Sequence, residues 1–319
     1  MRSLSVLFFI VLPIFLLASC NSTDDSTVPT KSVTFSNPRE VTISGYSGDA
    51  MEPFISSDGN TLFFNNLNSD MLPGGIENDT NLHYAVKTGD ITFQYMGEVA
   101  GADTDDMTGK NELEAVASMD RNNQFYFVNT INYLDSAASG YLLSLYKANY
   151  QDGVLTGIES LPNLKTDRPF GQAPVIGELN FDIEIHYDGN YLYFVEGLFS
   201  GNPFPDSADI GVAEKVNGVF IASGRSSGKM AEINTEALEY APSISTDRLE
   251  LYFTRTIGAD FGVYIATRSS VSGVWGNVNR IDAISGEFTE APSISFDGKL
   301  LYYHQKISNQ FRIHVVDRN

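Results

Sequence analysis

One short string returns five times along this chain, and that periodicity limits the fold more than any single motif does. Glu52-Pro53-Phe54-Ile55-Ser56-Ser57-Asp58-Gly59 reappears as Ala241-Pro242-Ser243-Ile244-Ser245-Thr246-Asp247-Arg248, and again as Ala291-Pro292-Ser293-Ile294-Ser295-Phe296-Asp297-Gly298. Two degenerate copies lie between, Glu114 to Arg121 and Asp182 to Gly189, which aligns the turn aspartates Asp58, Asp120, Asp188, Asp247 and Asp297. A period of this length marks a supersecondary unit that cannot bury its apolar face alone and must stack on its neighbours.

Each aspartate is followed by an aromatic-rich stretch: Leu62-Phe63-Phe64, Phe125-Tyr126-Phe127 (one residue late), Leu192-Tyr193-Phe194, Leu251-Tyr252-Phe253 and Leu301-Tyr302-Tyr303. A short strand, an Asp-Gly type of turn and a second strand make a β-hairpin. Third strands recur at Leu82, Leu145, Ile210, Val263 and Ile313, and variable fourth strands begin at Ile91, Val154, Val219 and Val274. Four strands per radially repeated unit predict an all-β chain folded as a β-propeller. The fifth copy stops at its third strand, so Val33 to Ile43 is expected to supply the missing outer strand and hide an open edge. This arithmetic gives five four-stranded blades, with the N- and C-terminal strands sharing the last. Six blades, one copy being undetected, is the alternative. No long stretch carries the 3.6-residue period of a helical or α/β fold.

The turn motif and its aromatic strand resemble the TolB-type (WD40-like) β-propeller repeat of bacterial envelope proteins, over residues 33 to 316. Copies one, four and five carry the resemblance, whereas copies two and three lack the proline.

The N-terminus points to the same compartment. Met1-Arg2 precedes the apolar run Leu4 to Leu17, which contains Pro13 and is shorter than the roughly 20 residues of a membrane span. It reads as a signal peptide. Leu17-Ala18-Ser19-Cys20 resembles the lipobox of bacterial lipoproteins, which implies cleavage before Cys20 and its lipidation with palmitate-type acyl chains. Cys20 is the only cysteine, so the fold holds no disulfide, and a lipid attachment explains why a lone thiol is sent to an oxidising compartment. Residues Asn21 to Lys31 are small, polar and acidic, as in a flexible tether. The expected organisation is signal peptide 1–19, lipidated cysteine and tether 20–31, and one propeller domain 32–319. Asn21 is not the aspartate of an inner-membrane retention signal, so an outer-membrane address is expected, facing periplasm or exterior. The Asp24-Asp25 pair resembles the acidic tracts of surface-exported lipoproteins. Forty acidic against twenty basic residues give a net charge of -20, a field that repels nucleic-acid backbones and anionic headgroups.

Candidate chemistry lies in carboxylates. The turn aspartates read as caps on backbone amides two residues on. The acids entering the first strands, Glu52, Glu112, Glu114, Asp182, Glu184, Glu239 and Glu290, are expected around the propeller axis, where they can raise one another's pKa values or hold a cation. Asp103, Asp105, Asn111 and Glu114 have the spacing of an EF-hand-like calcium loop, but Met107 and Thr108 break its pattern. Gly224-Arg225-Ser226-Ser227-Gly228 matches the hydrolase string G-x-S-x-G without the α/β sheet that chemistry needs. His83 and His314 occupy equivalent third-strand positions, and no spacing of the four histidines suits zinc. With no complete catalytic constellation, the sequence favours a non-catalytic scaffold that binds a protein or glycan partner through its loops. A glycan hydrolase using carboxylates around the axis is the alternative.

Overall fold

The computed structural model describes residues 33–67, 71–72, 75–76, 80–101, 114–129, 144–164, 177–199, 205–223 and 228–319. The signal and tether with Cys20, the candidates Glu112, Asp103, Asp105 and Asn111, and most of the Gly224 to Gly228 string lie outside these residues.

Within them every repeat is an antiparallel meander. Repeat 1 runs Met51–Ile55, Thr61–Asn65, Leu82–Lys87 and Thr92–Glu98, and repeat 2 runs Glu114–Met119, Gln124–Asn129, Leu145–Gln151 and Val154–Ser160. Repeat 3 is Gly177–Ile185, Tyr191–Phe199, Ser207–Val216 and Val219–Ala222, followed in repeat 4 by Leu238–Ile244, Glu250–Ile257, Asp260–Thr267 and Gly276–Arg280. Repeat 5 has Glu290–Ile294, Leu300–Ile307 and Gln310–Arg318, and its outer strand is Phe35–Glu40, paired antiparallel with Gln310–Arg318. Directly afterwards Thr42–Ser44 pairs parallel with Thr92–Glu98, so one N-terminal segment joins repeats 5 and 1.

The second strands show no polar alternation because both of their faces are buried. Leu62 and Phe64 pack toward repeat 5, while Phe63 packs toward repeat 2. Tyr126 and Val128 likewise face repeat 3. The core is thus a set of layers between neighbouring sheets, each filled with aromatic rings. His83 and His314 sit in this layer, stacked on Phe64 and Tyr303 at 5.5 and 5.6 Å, as repeat positions should.

The turns confirm the reading of the aspartates. Asp58, Asp120, Asp188, Asp247 and Asp297 each accept the amide two residues on, from Asn60, Asn122, Asn190, Leu249 and Lys299 at 2.8–3.1 Å. Repeat 2 departs from the sequence alignment. In repeats 1, 4 and 5 a serine also caps the amide five residues on, as Ser56 does for Thr61 at 2.9 Å. In repeat 2 Asp120 occupies the serine's place and caps both Asn122 and Gln124. Asp120 thus stands two positions ahead of the other turn aspartates while its turn is one residue shorter, which together make the aromatic strand one residue late. Glu52 is therefore matched by Val116, and Glu114 falls two residues ahead of it.

Candidate functional site

Each first strand carries a bulge at one equivalent residue. Glu52, Val116, Asp182, Ala241 and Ala291 all have φ between 45° and 56°, a left-handed conformation that costs an L-residue about 1–3 kcal/mol and persists only where its surroundings enforce it. Here the surroundings do. The bulge amides donate to side chains of the preceding repeat: Glu52 to His304 Nδ1 at 3.0 Å, Val116 to Asn65 Oδ1 at 3.4 Å, and Ala291 to Thr254 Oγ1 at 2.9 Å. At the equivalent second-strand position repeat 3 has the apolar Val195, so the Ala241 amide donates instead to Asp182 Oδ2 at 2.7 Å.

A second ring of bonds, from the amide three residues past one bulge to a side chain two residues past another, ties the repeats together. Ile55 donates to Ser293 Oγ, Ile185 to Ser118 Oγ, Ile244 to Glu184 Oε1 and Ile294 to Ser243 Oγ, at 3.0–3.3 Å. Phe54 interrupts this ring because it has no acceptor.

The bulges surround a narrow cavity of about 30 Å³ lined by Glu52, Asp182 and Glu184. That volume holds one or two water molecules. Glu290 stands beside it, taking a hydrogen bond from the Tyr240 hydroxyl on Oε2 at 2.8 Å. No ion pair among the described residues involves these four acids. Burial therefore pushes all of them up. Glu184 rises to about 7, although Ser118, Ile244 and Ser243 donate to it and offset part of the effect. Glu290 rises to about 7 through burial and the Asp182 charge, with the Tyr240 hydrogen bond opposing. Glu52 and Asp182 are both raised by burial, and the nearby Asp182 and Glu290 charges raise Glu52 further. The group thus retains protons at a pH where ordinary carboxylates have lost them.

Two of the expected axial acids lie elsewhere. Glu239 and Glu114 both sit two residues ahead of the bulge, and neither lines the cavity. Glu239 is fully buried and accepts Arg255 Nε at 2.7 Å, the Thr235 hydroxyl at 2.6 Å and the Thr235 amide at 3.0 Å. Glu114 is buried and accepts from Asn129 Nδ2 at 3.3 Å. No cluster of three or more acids, histidines or cysteines among the described residues could hold a metal ion. Sequence reasoning missed Tyr240, His304 and the serine ring. Only the repeated Pro-Ser-Ile hinted at the last.

An all-β propeller with acids gathered at its axis is the class that fold and site define. No family model and no curated sequence matches the chain. Among solved structures it is similar to a glycoside hydrolase at 9% identity, covering 90% of this chain and 92% of that one, with a TM-score of 0.59. It is similar also to an exo-β-1,3-galactanase from Phanerochaete chrysosporium, at 11% identity, 89% and 63% coverage and a TM-score of 0.52. TolB from Acinetobacter baumannii matches at 13% identity and a TM-score of 0.44, and the chain spans 55% of its length.

Proposed function

We propose that this protein is a glycan-active propeller of five blades, lipid-anchored through Cys20 at the bacterial outer membrane, with Glu52, Asp182 and Glu290 as its acid–base centre. One arrangement carries the reading: acids from three different first strands stand buried around the axis with no cation paired to them among the described residues, burial raises each of them, and the Asp182 charge raises Glu52 and Glu290 further. Glycosidic cleavage requires such a group, since one carboxyl must stay protonated to donate to the leaving oxygen while another stays ionised. The neighbours that share the fold at TM-scores above 0.5 include a glycoside hydrolase and a galactanase, which supports a carbohydrate as substrate.

The non-catalytic scaffold for a protein or glycan is the second reading. It is favoured by the small axial cavity, far below the roughly 300–1,000 Å³ of ordinary ligand pockets. Incubating the purified full chain with a panel of polysaccharides and chromogenic glycosides separates the two. The enzyme reading expects turnover that Glu52→Gln, Asp182→Asn or Glu290→Gln each lowers by about 100-fold or more with folding intact. Glycan binding without turnover makes the scaffold correct. For the anchor, a clickable fatty acid labels the wild type and not Cys20→Ala, and equal labelling of both removes it.

A further inference from the structure

A cavity of about 260 Å³ opens between the outer strands of repeats 2 and 3. Its inner wall is the buried side chains of Tyr126, Leu161, Leu164 and Phe220, with the Tyr126 and Phe220 rings edge to face at 6.1 Å. Tyr126 is only 1% exposed, and its ring forms part of the cavity wall.

Two lysines flank the cavity and differ in state. Lys147 is held by Glu159 at 3.0 Å, whereas Lys215 lies over the Phe220 ring at 4.8 Å and has no ion pair among the described residues. In a chain of net charge -20, an uncompensated ammonium beside an apolar cavity is an anion subsite with a hydrophobic body attached. An engineered apolar cavity of about 150 Å³ accepts benzene, so this one has room for a ring with a short acidic side chain.

We propose that this cavity binds a small aromatic carboxylate, with the ring against Phe220 and Tyr126 and the carboxylate on Lys215. The site is separate from the axis and does not depend on the function proposed there.

Isothermal titration of the purified full chain with trans-cinnamate and its neutral analogue cinnamamide tests the assignment. Cinnamate saturates one site with a Kd below about 1 mM, and the amide binds about fivefold more weakly. Lys215→Met reduces cinnamate affinity by about fivefold and leaves the amide unchanged, because only the anion uses the ammonium. Val219→Trp fills the cavity from its exposed edge strand and removes binding of both. The proposal is overturned if cinnamate fails to saturate, if acid and amide bind equally well, or if neither substitution changes affinity in a protein whose melting curve is intact.

Discussion

His304 illustrates how much a single acceptor does in this molecule. Its Nδ1 takes the Glu52 amide, and burial lowers its pKa to about 3, so it stays neutral and keeps the lone pair available. His304→Leu leaves that amide without a partner and should cost about 1–3 kcal/mol in urea denaturation. His304→Asn should cost less, because Asn65 makes the equivalent bond one repeat on. Glu184 has a pH signature. Its folded pKa of about 7 lies above the ordinary 4.5, so its contribution to stability is complete below about pH 4.5 and is lost as pH rises through 7. Asp58 works in the opposite sense. Burial would raise Asp58, but hydrogen bonds from Ser56 and Asn60 outweigh it and hold the pKa below 3.8, so its contribution is lost on acidification. Melting temperature should therefore peak near pH 5 and decline toward pH 8. Glu184→Gln should flatten that decline, and an unchanged slope would show that Glu184 does not cause it.

Among the elements, the N-terminal strand has the largest consequence for its length. Phe35–Glu40 covers the backbone edge of Gln310–Arg318, and Arg39 adds an ion pair to Asp317. Removing residues 31–43 exposes that edge as a template for a second chain. Light scattering should then show association and the melting temperature should fall, whereas removal of residues 21–29 should change neither. The second strands hold the layers together. Phe63 is fully buried against Phe54, Phe125 and Tyr150 from repeats 1 and 2, so Phe63→Ala should cost about 3–5 kcal/mol.

For the whole molecule, the decisive quantity is charge. A net charge of -20 repels itself in the compact state, and the axial acids deepen the cost as they ionise. Raising sodium chloride from about 10 to 150 mM should increase the melting temperature at pH 8 and do much less at pH 5, where fewer acids are ionised, because it shortens the Debye length from about 30 to about 8 Å and screens repulsion between charges farther apart than that. An equal salt effect at both pH values would refute this account. The ring of bonds through Ser118, Glu184, Ser243 and Ser293 should make neighbouring repeats unfold together.

The repeat, its four-strand arithmetic, the capping aspartates and the supply of the last outer strand from the N-terminus were all legible in the residues. Local hydrogen bonding and strand period act over short stretches, and a sequence displays those directly. Which acids meet was decided only by tertiary structure. A left-handed residue in each first strand turns Glu52 and Asp182 toward the axis, while Glu114 and Glu239, two residues earlier, find other partners. The slip in repeat 2 shows in the sequence only as an aromatic strand one residue late, and its cause, Asp120 doing two residues' work, needed the structure. The raised carboxylate pKa values depend on burial and on charges from separate repeats, quantities set by the closed ring and not by any stretch of chain.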